Sequence, residues 1–374
     1  MISRIRLDDL VQINSASTND PAALGIERSV GLENIVSNQT RIAGSGVAGE
    51  GYDFTRVFRN GDVLVSKRNL YLCKTAVADF DGVCSGDILV VEASDPRLES
   101  RYLGYLLSSP MFYSYAISSA KGTHSRRIRP IDLERFEFDL PSLDEQLRVV
   151  EVMRAVDREI EAAQAVASAT SLTMSTLDLS SFQRRPLLEV STVVRGLRLS
   201  PERRMTAWPT YRTVRAGNIS WAGIDFDDFR EMKASPVELK NFVLKGGDIL
   251  MVEGGGPDSV GVSAIFPEDG PPNLLPQDSL LLIQARQGVS AQYLYWALRN
   301  VMLSGELARI ASGSTITHLT KEAFVKISIP VPDLPTQDQI VHSFSRLQSL
   351  QLSANEAEQR GQVLRTSLLQ ELIG

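Results

Sequence analysis

The chain has 374 residues, 43% hydrophobic and 22% charged, with a formal net charge of −6. That length suffices for two ordinary domains with full cores. No run approaches the ~18 to 20 apolar residues of a membrane span, and the amino terminus lacks the apolar run of a secretory signal, so a cytoplasmic protein is expected. The acidic balance argues against a protein that coats nucleic acid indiscriminately, because such binding comes mostly from phosphate neutralisation; any nucleic-acid surface must be local.

In chain order, the first elements are short strand-like runs bounded by Gly, Asp and Asn, at 62–66 and 87–92. Cys73 and Cys84 lie in this stretch without counterparts later in the chain, which argues against a disulfide framework and suggests reduced, buried side chains. The period then changes. Residues 101–108 carry Tyr and Leu at helical spacing, and the basic loop KGTHSRRIR follows at 121–129. A final strand at 136–140 ends at Pro141, where a ladder loses its donor. Beyond it, Ser142 and Glu145 fit the capping box that starts a helix.

The same order then returns. GTHSRRIRPIDLERFEFDLP at 122–141 is answered 191 positions later by GSTITHLTKEAFVKISIPVP at 313–332, and Tyr102-Leu103 pairs with Tyr293-Leu294 at the same offset. Gly61-Asp62 pairs with Gly247-Asp248 at 186, and VGLENI at 30–35 with VRAGNI at 214–219 at 184. A drifting offset means loop insertions on a kept framework. A period near half the chain is too long for a solenoid, so a two-domain duplication is expected. The second half carries strand-like runs at 248–253 and 280–284, a helix at 291–301, a polar loop at 312–321, a strand at 325–329 closed by Pro330, and a capping box at Thr336 and Gln339. Each half is expected to be α+β with a mixed or mainly antiparallel sheet.

After each capping box a long helix is expected. From Val149, the positions Met153, Val156, Ile160, Ala163, Ala167, Thr170, Met174 and Leu177 follow the four-three spacing of a heptad seam. The second seam reads Ile340, Phe344, Leu347, Leu350, Ala354, Ala357, Gly361, Leu364 and Leu368, with a three-three step at Leu347–Leu350 that should disturb the supercoil. A seam can merely cap its own domain, but two that start at the same point of a repeat are the simplest partners for each other. Small residues mid-seam allow close approach. The globular half between the helices favours antiparallel pairing, with a helix of ~36 residues, about 54 Å, serving as a rod that holds the halves apart.

Candidate nucleic-acid contacts are local. Lys121, Gly122, Thr123, His124, Arg126, Arg127 and Arg129 combine cations that pair with guanine edges or phosphates with a glycine that lets the backbone approach. The equivalent Gly313, Ser314, Thr315, Thr317, His318 and Lys321 are rich in hydroxyls instead, as two readers of different base sequences would require. The run Arg195 to Arg215, from which Arg203, Arg204, Arg212 and Arg215 are taken as contacts, has Trp208 and Tyr211 among its arginines; the plainer reading is a solvated surface. Lys67 and Arg68 follow the first GDVLVS run on the same argument.

Catalytic and metal signatures are missing from the pattern. The three histidines lack the spacing of a zinc site, there is no GxxxxGK[ST] phosphate loop, and no Asn/Asp-Pro-Pro-aromatic motif of an amino-methyltransferase occurs. Gly254-Gly255-Gly256 reads better as a turn than as a cofactor loop.

The halves close with FEFDLPSLDEQLRVV at 136–150 and ISIPVPDLPTQDQIV at 327–341. With the duplication and the Gly-Asp-Ile/Val-Leu strands, the whole chain resembles the specificity subunit of type I restriction-modification systems. The resemblance implies two pseudo-symmetric α+β target recognition domains, at 1–141 and 182–333, separated by spacer helices at 142–181 and 334–374 that pair as an antiparallel coiled coil. It implies a chain that performs no catalysis and reads a bipartite site on double-stranded DNA, with half-sites about one helical turn, ~34 Å, apart. Two modification subunits binding S-adenosylmethionine would methylate adenine N6 in the half-sites. Restriction subunits would add ATP- and Mg-dependent translocation and cleavage. The alternative is a protein–protein scaffold with two heads on a rod, and after it an enzyme.

Overall fold

The computed structural model describes residues 4–51, 54–122, 126–254, 259–303 and 321–373, with the Leu303 side chain excepted. The short sequence matches fold into matching local structures. Gly61 and Gly247 lie at φ 95° and 85°, which glycine reaches without a Cβ penalty. The aspartates that follow turn back: Asp62 Oδ2 accepts the Arg59 amide at 2.7 Å and Asp248 Oδ2 the Lys245 amide at 2.9 Å. Likewise Asn34 Oδ1 accepts the Gly31 amide at 2.9 Å and Asn218 Oδ1 the Arg215 amide at 3.0 Å, closing the single turns Leu32–Asn34 and Ala216–Asn218.

Those turns feed two like sheets. Val11–Asn14, Ile88–Ala93, Val63–Ser66 and Thr75–Val77 form an antiparallel sheet in that order, and Ser191–Arg195, Leu280–Ala285, Ile249–Val252 and Ser263–Ile265 form its counterpart. A second sheet in each half holds one parallel pairing, Arg28–Val30 with Gly82–Cys84 and Thr210–Val214 with Leu275–Pro276. The central strands read as unbroken apolar runs because both faces are covered. Val63, Val65, Leu89 and Val91 pack with Tyr102 and Leu103 on one side, while Leu64, Ala76, Ile88 and Val90 pack with Val30 and Phe58 on the other. In the second half Ile249, Met251, Leu281 and Ile283 face Tyr293 and Leu294, and Leu250, Val252, Leu280 and Leu282 face Val214 and Phe266. The covering helices are Ser100–Leu106 and Ala291–Leu303.

The chain enters and leaves each head through one two-stranded ladder. Arg4–Arg6 pairs with Glu137–Asp139, and Arg184–Pro186 with Ser328–Pro330. The strand expected at 325–329 thus begins later and includes Pro330, while Lys321–Phe324 forms a helical turn. In a two-stranded ladder both strands are edges, so a proline need not donate. Cys84 is buried, and burial pushes its thiol up to about 12; Cys73 is only half-buried, so the expectation that both are buried holds for one. Among the described residues no helix is long and apolar enough to cross a membrane.

The two long helices are Leu143–Thr176 and Leu334–Leu372, 34 and 39 residues. The first starts as expected: Ser142 N and Oγ donate to Glu145 Oε2 at 2.9 and 2.8 Å. The second starts differently. Asp333 caps it, Oδ1 accepting the Thr336 amide at 3.0 Å, because Asp333, not Thr336, stands 191 positions after Ser142; a carboxylate is an equally good cap. One turn on, both helices carry a fully buried glutamine. Gln146 accepts the Glu99 amide at 2.9 Å and donates to the Arg97 and Pro141 carbonyls at 2.8 and 2.9 Å. Gln337 accepts the Ser290 amide at 2.9 Å and donates to the Gly288 and Pro332 carbonyls at 3.0 and 2.9 Å. Every partner is shifted by 191 positions. Each glutamine satisfies otherwise stranded loop groups and fixes its helix to its head.

By contacts the chain divides into two units, Met1–Gln164 with Asn355–Gly374, and Ala165–Ala354, so each unit takes part of both helices. In the first unit Asp157 meets Arg365 at 2.8 Å, Ile160 faces Gly361, and Gln164 donates to Glu358 at 2.7 Å; positions rise in one helix as they fall in the other, so the pairing is antiparallel. A Cβ on Gly361 would stand 2.6 Å from Ile160 Cγ1, the close approach a small seam residue was expected to allow. In the second unit Met174 and Leu177 share a core with Ile340, Phe344 and Leu347.

The first seam is observed as read from Val149 to Met174, every position buried or half-buried, while Leu177 lies one residue past the end of the helix. The second is corrected. Leu350 and Leu364 are 54% and 50% exposed and Ala357 is exposed, whereas Gln337, Ile340, Phe344, Leu347, Gln351, Ala354, Glu358, Gly361, Arg365 and Leu368 are buried or half-buried and alternate steps of three and four throughout. The three-three step is absent. Arg365, 2% exposed, occupies a seam position because Asp157 neutralises it. Following only apolar residues leads off the seam.

Candidate nucleic-acid interface

Lys67 directly follows strand Val63–Ser66, and the chemistry begins there. The Lys67 amide donates to the Asp87 carbonyl at 2.8 Å and its own carbonyl accepts the Ile128 amide at 2.9 Å, which ties the basic loop to the end of the main sheet. Lys121 and Arg127 close that loop by exchanging backbone hydrogen bonds at 3.0 and 2.9 Å, and Gly122, at φ 123°, supplies the conformation the turn requires. Arg68 bridges Arg127 across the two segments. Asp87 sits among these cations, its Oδ2 3.1 Å from Arg68 Nε and its Oδ1 3.5 Å from an Arg127 Nη. Lys67 Nζ donates to the Gly86 carbonyl at 2.5 Å. Burial, with Arg56 nearby, holds the Lys67 ammonium below its ordinary value.

The structure therefore gathers Lys67, Arg68, Lys121, Gly122 and Arg127 into one patch. Arg126 folds back on the Ala120 carbonyl at 3.1 Å. Arg129 turns to Asp132, donating at 2.6 and 2.8 Å at the start of helix Pro130–Glu134. Thr123 and His124 lie outside the described residues, as do Gly313, Ser314, Thr315, Thr317 and His318.

In the second head the predicted cations are dispersed. Lys321 opens the turn Lys321–Phe324, and its amide donates to Glu253 Oε1 at 3.3 Å. Glu253 also pairs with Arg195, at the end of strand Ser191–Arg195. Arg204 is exposed. Arg212 lies over Phe229 at 5.1 Å and Arg215 pairs with Asp228. Arg203 is a brace: its side chain is 13% exposed, and it donates to Glu238 at 2.9 and 2.7 Å and to the Lys233 and Arg198 carbonyls at 3.0 Å. Sequence reasoning missed Asp87 and Glu253 altogether. Asp87 is 20 positions from Lys67 and 40 from Arg127, and only strand pairing makes them neighbours.

Arg203 has a measurable consequence. Its guanidinium holds the Glu238 carboxyl down at about 2. A group whose folded pKa is depressed contributes stability that is full above its unfolded value, about 4.3, and is lost as the pH falls through the folded value. Glu238→Gln is expected to lower stability by about 1 to 3 kcal/mol at pH 7, a gap to wild type that narrows between about pH 5 and pH 2. Denaturant unfolding of both proteins across that window checks it; a gap unchanged by pH would contradict the assignment.

The chain matches the family described as the type I restriction modification DNA specificity domain over residues 4–167 and 206–363. It is 30% identical over 125 residues to the Escherichia coli type I restriction enzyme EcoDI specificity subunit, a match spanning 32% of this chain and 28% of that relative. Its fold is similar to the type I restriction-modification S subunit from M. genitalium, with 16% identity, a TM-score of 0.59, and 100% and 96% of the two chains covered. It is also similar to a chain of a type I R-M system solved for its complex assembly and conformational transition, with 19% identity, a TM-score of 0.58, and 99% and 97% covered.

Proposed function

The chain belongs to the type I restriction modification DNA specificity family, and from that premise we propose that it reads a bipartite site on double-stranded DNA, one half-site with each head, and carries no reaction itself. One observation supports this most directly. The Lys67 amide donates to the Asp87 carbonyl and the Glu253 amide to the Ser279 carbonyl, so Lys67 and Glu253 occupy the same rung of two like sheets. One framework thus carries a lysine at that rung in one head and a glutamate, paired with Arg195, in the other. Readers of two different sequences require such a difference, since base edges are told apart by donor and acceptor pattern. A scaffold that binds one kind of partner twice does not require it.

In this proposal the heads are the target recognition domains at 1–141 and 182–333, with spacer helices at 142–181 and 334–374. The partners are two modification subunits, which bind S-adenosylmethionine and methylate adenine, and restriction subunits using ATP and Mg. The complex acts on DNA in the cytoplasm. Co-expression with its modification subunit, followed by methylome sequencing, tests the reading. A methylated adenine in each part of a gapped motif is expected; a contiguous motif or site-independent methylation would contradict it. Seven residues inserted into each long helix keep the seam and add about 10 Å of helix. The gap is then expected to change by about three base pairs at 3.4 Å each, with the bases read unchanged. An unchanged gap in the same sequencing would sink the role of the helices as a ruler.

A further inference from the structure

Resting on the DNA-reading function proposed above, we infer that each head aims its base-reading arginines from one carboxylate at the same rung of its main sheet: Asp87 positions Arg68 and Arg127, and Glu253 positions Arg195. The backbone equivalence is given by the paired hydrogen bonds from Lys67 to Asp87 and from Glu253 to Ser279. The carboxylate has moved from one strand to its neighbour between the heads, yet the rung is kept.

Both carboxylates are themselves anchored. Asp87 is held through its backbone, its amide donating to Ser85 Oγ at 3.2 Å, and Glu253 Oε1 accepts the Lys321 amide at 3.3 Å as well as the Arg195 guanidinium. Their side chains are 22% and 10% exposed, whereas those of Arg68, Arg127 and Arg195 are 41%, 51% and 50% exposed. In each pair the acid is the inner member and the arginine the outer one. Arg195 donates a hydrogen bond to Glu253, whereas Asp87 holds Arg68 and Arg127 by charge at 3.1 and 3.5 Å, and a guanidinium with five N–H donors has others beyond these contacts.

Stability is a poor reason for such pairs, because half-exposed ion pairs contribute little. Bulk affinity is a worse one, since a carboxylate among phosphate-facing cations opposes the counterion release that drives binding. Orientation remains. A fork held by an acid before DNA arrives loses less rotamer freedom on binding, and it meets guanine O6 and N7 in one geometry only. Arg203 is excluded from this role by its burial, and Arg129, just before helix Pro130–Glu134, pairs with Asp132 of that helix.

The test uses the whole methylating complex with Asp87→Asn or Glu253→Gln, which keep side-chain size and every arginine. Binding to unrelated duplex is expected to hold or rise. Methylome sequencing is expected to show roughly tenfold weaker discrimination at one base pair or more, in one half-site for Asp87→Asn and in the other for Glu253→Gln. Arg195→Lys, which keeps the charge and loses the fork, should reproduce the Glu253→Gln pattern. An unaltered motif in both carboxylate variants overturns the inference, as does degradation of both half-sites by one change, which marks a merely structural role. A wild-type complex with no gapped motif fails at the earlier step and takes this inference with it.

Discussion

Asp157→Gln is expected to lower stability by about 3 to 5 kcal/mol, and Arg365→Met by somewhat less, while the double variant recovers most of both losses. Arg365 is 2% exposed, donates from Nε to Asp157 Oδ1 at 2.8 Å, and lies 5.9 Å from the Tyr105 ring centroid. Removing Asp157 leaves a guanidinium with no anion and almost no water. Removing Arg365 is milder, because the Asp157 side chain is 19% exposed and still accepts the Tyr105 hydroxyl at 2.8 Å. The double variant is written in the chain already: Gln348 and Met174 stand 191 positions from Asp157 and Arg365. The second unit instead buries Arg299, from the head, against Trp221 and Trp296 at 4.7 and 5.1 Å. Chemical denaturation of the four proteins gives the coupling directly. Strictly additive losses would show that the pair is not the unit of stability.

Replacing residues 182–333 with the corresponding head of another family member is expected to change one half-site completely and leave the other untouched. The expectation rests on how the chain enters and leaves that head. Arg184–Pro186 lies beside Ser328–Pro330, and the Val331 amide donates to the Gln183 carbonyl at 2.9 Å, so the two ends of the exchanged segment are neighbours in one ladder. Outside the cut, Gln337 stays on its helix, but its loop partners Gly288 and Ser290 travel with the head. Its bonds are to backbone atoms, which any donor head supplies if the loop geometry is kept. Methylome sequencing of cells carrying the exchange reads the outcome; altered bases in both half-sites would contradict independent heads.

Much of the fold was legible because it is carried by local chemistry. Gly61 and Gly247 need positive φ, Ser142 and Glu145 form a cap, and the central strands are unbroken apolar runs whose alternate residues face two cores. The second seam was partly illegible. Gln351, Glu358 and Arg365 occupy core positions that hydrophobic periodicity assigns to Leu350, Ala357 and Leu364. Arg365 is tolerated there only because Asp157, from a helix 208 positions away, neutralises it. The cap at Asp333 was missed for a smaller reason: two acceptable caps three residues apart compete, and only backbone geometry chooses between them.

The candidate site divides in the same way. Lys121 and Arg127, near in the chain, stay together in space by exchanging backbone hydrogen bonds, while Arg126 and Arg129 turn to the Ala120 carbonyl and to Asp132. The run from Arg195 to Arg215 disperses, because its members leave on different elements and find different partners: Glu253, Glu238, Phe229 and Asp228. Residue order alone determined that this protein is two like heads with two long helices, because periodicity, caps and turns act over a few residues and survive duplication. Only the tertiary structure decided which arginines are free to face a partner and which are consumed as braces. Ion pairing depends on distances of 3 to 4 Å between segments tens of residues apart, and strand register, not sequence spacing, sets those distances.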